Sequence, residues 1–88
     1  MNIQYQPLFL KKFRQFSHAD KKAIRDTIDF FKDHPQDPSL RNHALEAPMF
    51  GKRSISVRDD LRIIFIERGN YVSILMLDVG DHIGVYGD

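Results

Sequence analysis

Five side chains in this sequence could together move protons and hold a phosphate: His43, Asp60, Arg62, His82 and Tyr86. His82 lies just past an apolar run, beyond Gly80 and Asp81, where a sheet delivers a side chain to its edge. An imidazole exchanges protons near neutral pH, and the nearby carboxylates Asp78 and Asp81 would favour its cationic form, which suits a general acid. The bland alternative is a surface histidine after a strand. Arg62 interrupts the apolar run LRIIFI. An unpaired buried charge is very costly, so Arg62 needs either an ion-pair partner, with Asp78 on a neighbouring strand the candidate, or an opening where its guanidinium fork meets two phosphate oxygens. Lys52, Arg53 and Arg58 could extend such a site, although each alone also reads as a solvated surface charge. Tyr86 could stack on a base or bond a phosphate, or simply pack. His43 falls in an irregular stretch, and Asp60 in a turn where aspartate is common anyway.

Several chemistries are missing. The sequence has no cysteine, hence no thiolate nucleophile, disulfide framework or Cys-ligated zinc. It has no Gly-rich phosphate loop, nucleophile elbow or HExxH motif. His18, His34, His43 and His82 are spread along the chain with no zinc-like spacing, and Asp59-Asp60 alone is too little for a two-metal nuclease. The expectation is chemistry with protons and fixed charges, without metal or cofactor.

The elements that must position these groups follow from the hydrophobic pattern. Eighty-eight residues, 42% hydrophobic and 11% aromatic, make one globular domain over 1–88 with a thin core. The segment MNIQYQPLFLKKF has no charged region ahead of its apolar residues and does not read as a signal peptide. No apolar run approaches a membrane span. Asn2–Pro7 alternates weakly, like an edge strand. Phe9, Phe13 and Phe16 then fall on one helical face. Ser17 and Asp20 have capping-box-like spacing ahead of a helix whose stripe is Ile24, Ile28 and Phe31. That helix must end near His34, because Pro35 disfavours helix at the residue before it.

Pro35–Pro48 is irregular, with a possible helical turn at Ser39–His43. From Gly51 the period becomes two. Lys52–Arg58, Leu61–Glu67 and Tyr71–Asp78 read as strands, turned at Asp59-Asp60 and Gly69-Asn70. Ile83–Tyr86 reads as a last short strand or an extended tail. Short turns require an antiparallel meander. The predicted fold is α+β and two-layered, with an N-terminal strand and helical hairpin packed on one face of a mainly antiparallel sheet. The opposite face is left free for a ligand.

Thirteen Lys and Arg against twelve Asp and Glu give a net charge of +1, which alone predicts no nucleic-acid partner. Basic stretches at 11–32 and 52–62 and an acidic end divide that charge unevenly.

In order along the chain, Leu40–Leu45 (LRNHAL), Gly51–Val57 (GKRSISV), Asp60–Phe65 (DLRIIF) and Asp78–Tyr86 (DVGDHIGVY) resemble the RelE/ParE superfamily of type II toxins, most of all its YafQ-like branch. With the preceding strand and hairpin, the resemblance covers nearly the whole chain. It implies a bacterial, cytoplasmic toxin that enters the ribosomal A site and cuts mRNA there without a metal. It also implies a cognate antitoxin that wraps a monomeric toxin in a hetero-oligomeric complex. Matched position by position, His82 is the implied general acid and His43 or Asp60 the base. Arg62, assisted by Arg53 or Arg58, would steady the phosphate, and Tyr86 would orient the nucleotide. The sequence departs from the pattern at Ser56, where YafQ-like toxins carry a histidine, at Leu61 in place of tryptophan, and at Asp78 in place of arginine. Ser54 and Ser56 also replace lysines of RelE itself. The same fold hosts ParE-like gyrase inhibitors, which bind and catalyse nothing; a proton-transfer pair favours the nuclease.

Overall fold

The computed structural model describes residues 1–87. Strand β1 (Asn2–Tyr5) leads into helices α1 (Pro7–Gln15) and α2 (His18–Asp33). A short 3-10 turn at Pro38–Leu40 follows, then β2 (His43–Ala44), β3 (Arg53–Arg58), β4 (Leu61–Arg68), β5 (Ser73–Gly80) and a short helix α3 (His82–Tyr86). The five strands form one sheet in the order β1-β5-β4-β3-β2. Pairing is antiparallel throughout except for β1, which runs parallel to β5 at the edge.

Local chemistry explains the helices. Pro7 stands at the start of α1, where its missing N–H costs nothing. Phe9 is buried, with its ring near those of Tyr5 and Phe13. The chain then becomes extended at Phe16 and Ser17, and the Ser17 hydroxyl accepts the Asp20 N–H at 3.1 Å to open α2. Ile24, Ile28 and Phe31 are the buried stripe of α2, which ends at His34 before Pro35.

The sheet follows a period of two. Ile55 pairs with Ile63 and Ile63 with Val79, and all three join Phe9, Ile24, Phe31 and Phe65 in the core. Alternation puts the residues between them on the other face. There Ser56, Arg62 and Gly80 form one cross-strand row, and His43, Ser54 and Ile64 form the next. β5 carries one extra residue, Leu77, between the pairs Ile64–Asp78 and Phe65–Met76, a bulge that lets the strand bend.

Three expectations are corrected. Ile83–Tyr86 is neither strand nor extended tail but part of α3, because the Asp81 carboxylate accepts the Gly84 N–H at 2.6 Å and turns the chain as soon as β5 ends. The helical turn expected at Ser39–His43 lies at Pro38–Leu40, which frees His43 for β2. β5 begins at Ser73 rather than Tyr71, because Asn70 and Tyr71 both have positive φ (57° and 71°) and extend the turn.

That turn belongs to a polar knot. The Asn42 amide donates to Pro35 O (2.8 Å) and to the Tyr71 hydroxyl (3.0 Å), while Asn42 Oδ1 accepts Arg53 Nε at 2.8 Å. Tyr71 also lies against the rings of Phe31 and Phe65. The knot ties the irregular stretch, and with it β2, to the core. Close by, the Ser39 backbone N–H and then its hydroxyl hold the Asp37 carboxyl below the usual carboxylate range. This contribution to stability is present above the pKa of an unfolded aspartate and is lost as the pH falls through the lowered folded value.

Ser17→Ala should lower stability by about 1 kcal/mol, read as a shift in urea midpoint with an unchanged slope. Asn42→Ala removes three hydrogen bonds at once and should cost about 1–3 kcal/mol by the same measurement.

Candidate active site

The open sheet face narrows to a cleft of about 590 Å³ whose lining includes His43, Arg62, His82 and Tyr86. Four elements meet there. β2 brings His43 in from the sheet's edge, and β4 supplies Arg62 from its centre. α3 presents His82 and Tyr86 one helical turn apart, with ring centroids 4.6 Å apart in an edge-to-face contact. The connection from β2 to β3 forms the remaining wall through residues 45–49, with Leu45, Pro48 and Met49.

The His43 ring has a defined orientation. Its Nδ1 lies 2.8 Å from Arg41 O. A carbonyl only accepts, so Nδ1 carries the proton, and the neutral ring keeps its lone pair on Nε2. Arg41 has the left-handed backbone φ of 50° that ends the 3-10 turn, so the carbonyl that fixes His43 is set by the turn just before it.

Arg62 does not have the ion-pair partner that the sequence suggests. Asp78 is not its partner: that carboxylate takes Lys12 Nζ at 2.8 Å and the Val79 N–H at 2.8 Å. The carboxylate that approaches Arg62 is Asp60, 3.9 Å from Nη2, beyond hydrogen-bond distance. Arg62 Nε is buried and, among the described residues, has no hydrogen-bond partner; Ser54 Oγ, on the neighbouring row, is in the same condition. Buried donors of this kind are uncommon, and they leave this guanidinium under-bonded at the edge of the cleft that Arg62 lines.

The two carboxylates near His82 in sequence have structural contacts of their own. Asp78 is paired as above, and Asp81 caps α3 through the Gly84 N–H.

The remaining candidates lie elsewhere. Asp60 and Arg58 line a second cleft of about 610 Å³ with Lys12, Phe16 and Gly84. Arg58 pairs with Asp20 of α2. Arg53 is spent on Asn42 in the structural knot. Lys52 precedes β3 and is not among the residues lining the histidine cleft. Sequence reasoning missed the wall at 45–49, whose only signal was the irregular stretch ending at Pro48. It also missed Lys12, which gave no signal at all.

No protein-family model matches the sequence, and no curated protein does. The fold, by contrast, has clear counterparts. YafQ from Escherichia coli BL21(DE3) superposes with a TM-score of 0.81 at 20% identity, covering 98% of each chain. YafQ in the E. coli DinJ–YafQ complex gives 0.78 at 20% identity over 98% of each chain. The RelBE2 toxin–antitoxin complex of Mycobacterium tuberculosis gives 0.66 at 13% identity, over 92% of this chain and 96% of its counterpart. The strand, helical hairpin and antiparallel meander expected from the sequence are thus those of the RelE/YafQ toxin fold.

Proposed function

We propose that this protein is the toxin of a type II toxin–antitoxin pair and a metal-independent endoribonuclease that cuts mRNA in the ribosomal A site. The observation that carries the reading is the convergence of His43, Arg62, His82 and Tyr86 on one cleft. They come from three separate elements, and the set holds two proton-transfer groups and a cation, the parts that RNA cleavage requires.

The chemistry runs as an in-line displacement. His43 Nε2 takes the proton from a ribose 2′-OH, and the 2′-oxygen attacks the adjacent phosphorus. The bond from phosphorus to the 5′-oxygen breaks, and His82 protonates that oxygen. The products are a 2′,3′-cyclic phosphate and a 5′-hydroxyl. Arg62 meets the charge that builds on the phosphoryl oxygens with its guanidinium. Tyr86, already against His82, offers its ring or hydroxyl to the nucleotide. Between the two candidate bases the geometry favours His43, which shares the cleft with His82, over Asp60, which lines the neighbouring one.

Arg62 is the one Lys or Arg among the residues lining this cleft, so the ribosome would have to supply part of the electrostatic environment. That fits a toxin that acts on translated mRNA rather than on free RNA. An antitoxin partner is supported by the DinJ–YafQ and RelBE2 complexes, and the site of action would be the bacterial cytoplasm.

Primer extension on a translated reporter mRNA should show cuts at fixed codon positions only when ribosomes are present. His82→Ala and His43→Ala should each slow single-turnover cleavage by about 10²–10⁴-fold. Arg62→Ala should slow it by about 10²–10³-fold. Growth arrest with intact mRNA would overturn the nuclease reading and make DNA supercoiling the assay to run, as for a ParE-like gyrase inhibitor.

A further inference from the structure

α3 carries two of the four side chains in the histidine cleft, yet it has five residues, too few to hold a helix in isolation. Its first turn is closed by Asp81, whose carboxylate accepts the Gly84 N–H at 2.6 Å. Its inner side rests on β5, where a Cβ at Gly80 would stand 3.5 Å from Val85 Cγ1. The third attachment comes from α1, 72 residues away in sequence. Lys12 Nζ donates to Gly84 O at 2.7 Å and at the same time pairs with Asp78 Oδ1 at 2.8 Å.

We infer that Lys12 is a positioning residue for the proposed nuclease site, a clamp that fixes α3, and with it His82 and Tyr86, against β5. The carbonyl it takes is one of those that the end of a helix leaves unbonded, and a cation there is favoured by the helix dipole. The pair is partly sheltered, with side-chain exposures of 29% for Lys12 and 15% for Asp78, so it is less screened than a surface ion pair. Gly84 is gripped at both ends, N–H by Asp81 and C=O by Lys12. A Cβ there would lie 2.9 Å from Asp81 Oδ1, so glycine is what lets both grips close on one residue. The clamp also gives Asp78 a role. The acid at the end of β5 neutralises the ammonium and aims it at α3.

His82 and Tyr86 ride on one helix and keep their mutual contact as long as α3 moves as a unit. What depends on the clamp is their distance to His43 on β2 and Arg62 on β4. Loss of the clamp should therefore lower the rate of the chemical step more than the binding of RNA. A displacement of about 1 Å in a reacting group costs on the order of 10²-fold.

The inference rests on the nuclease reading for its consequence but not for its geometry, and the test separates the two. Amide hydrogen exchange would be measured on wild type, Lys12→Met, Lys12→Arg and Asp78→Asn, alongside single-turnover cleavage on ribosomes. In Lys12→Met, the amides of Gly84, Val85 and Gly87 should lose about tenfold or more of their protection while those of β4 keep theirs. The single-turnover rate should fall by about 10–100-fold with the half-saturating concentration nearly unchanged. Lys12→Arg should restore much of both, since a guanidinium can reach the same two oxygens. Asp78→Asn should show a partial loss, and Lys12→Met combined with Asp78→Asn should lose less than the sum of the two singles. If α3 protection in Lys12→Met equals that of wild type, the clamp is wrong, whatever the activity. If protection falls but the rate does not, the positioning role is wrong. If wild type cuts nothing, the nuclease reading fails along with the positioning role, and the exchange data alone judge the clamp. Should Lys12→Met fail to fold, Asp78→Asn with Lys12→Arg reads the same contrast.

Discussion

A strand covered on both sides can hold a cation only where one face opens, and here the pairing of Ile63 with Ile55 and Val79 decides where that is. Those three side chains meet α2 in the core. Arg62 is thereby turned to the opposite face, in the row of Ser56 and Gly80. A slip of one residue would drive the guanidinium into the helices and bring Ile63 out to the cleft. The bulge at Leu77 adds a second constraint, because only beyond it does β5 offer Val79 to the core and Gly80 to α3. Site and core are two readings of one register. That is why the site tolerates so little freedom in strands it scarcely touches.

At four positions the chain departs from the toxin pattern it resembles, and the surroundings account for part of the change. Ser54 is buried to 1% exposure between His43 and Ile64. A lysine at that position would have to bring its ammonium out of a closed pocket. Asp78 serves Lys12, a partnership that an arginine at the same place would break by like-charge repulsion. Leu61 is in the core cluster and also lines the second cleft, where an indole would need more room. Ser56 lies in the Arg62 row on the open face, and nothing in the structure explains why it is serine.

Much of this was legible in the sequence. α2 could be read because Ser17, the Ile24–Ile28–Phe31 stripe and Pro35 mark its start, face and end independently. β3 can be read from its alternation, and β4 from its apolar run between the Asp59-Asp60 and Gly69-Asn70 turns. The same signals failed at α3, whose Ile83-Gly84-Val85-Tyr86 has the composition of a strand. Its helix depends on a cap at Asp81 and on a lysine from the far end of the chain, and no local pattern records a contact over 72 positions. The site divides along the same line. His43, Arg62, His82 and Tyr86 were chosen for residue type and family resemblance, and the fold gathers them. Asp60, Arg53 and Arg58 were chosen on the same grounds and fall outside the cleft, because a side chain's partner is a property of tertiary structure. Arg53 goes to Asn42 and Arg58 to Asp20.

α3 lies between two hollows. His82 and Tyr86 face one, while Asp81 and Gly84 line the other. Among its attachments are a cap, one valine on a glycine, and a lysine. Ile24, Phe31, Ile63 and Phe65, by contrast, share a core that excludes water. Opening α3 exposes Val85 but leaves the main core cluster closed, so it belongs to the low-energy end of the molecule's local unfolding events. The consequence is a division of thermal labour: on warming, the cleft comes apart before the core does. Far-ultraviolet dichroism would still show a folded protein at a temperature where its working surface has already dispersed, and cooling would rebuild that surface without refolding the rest.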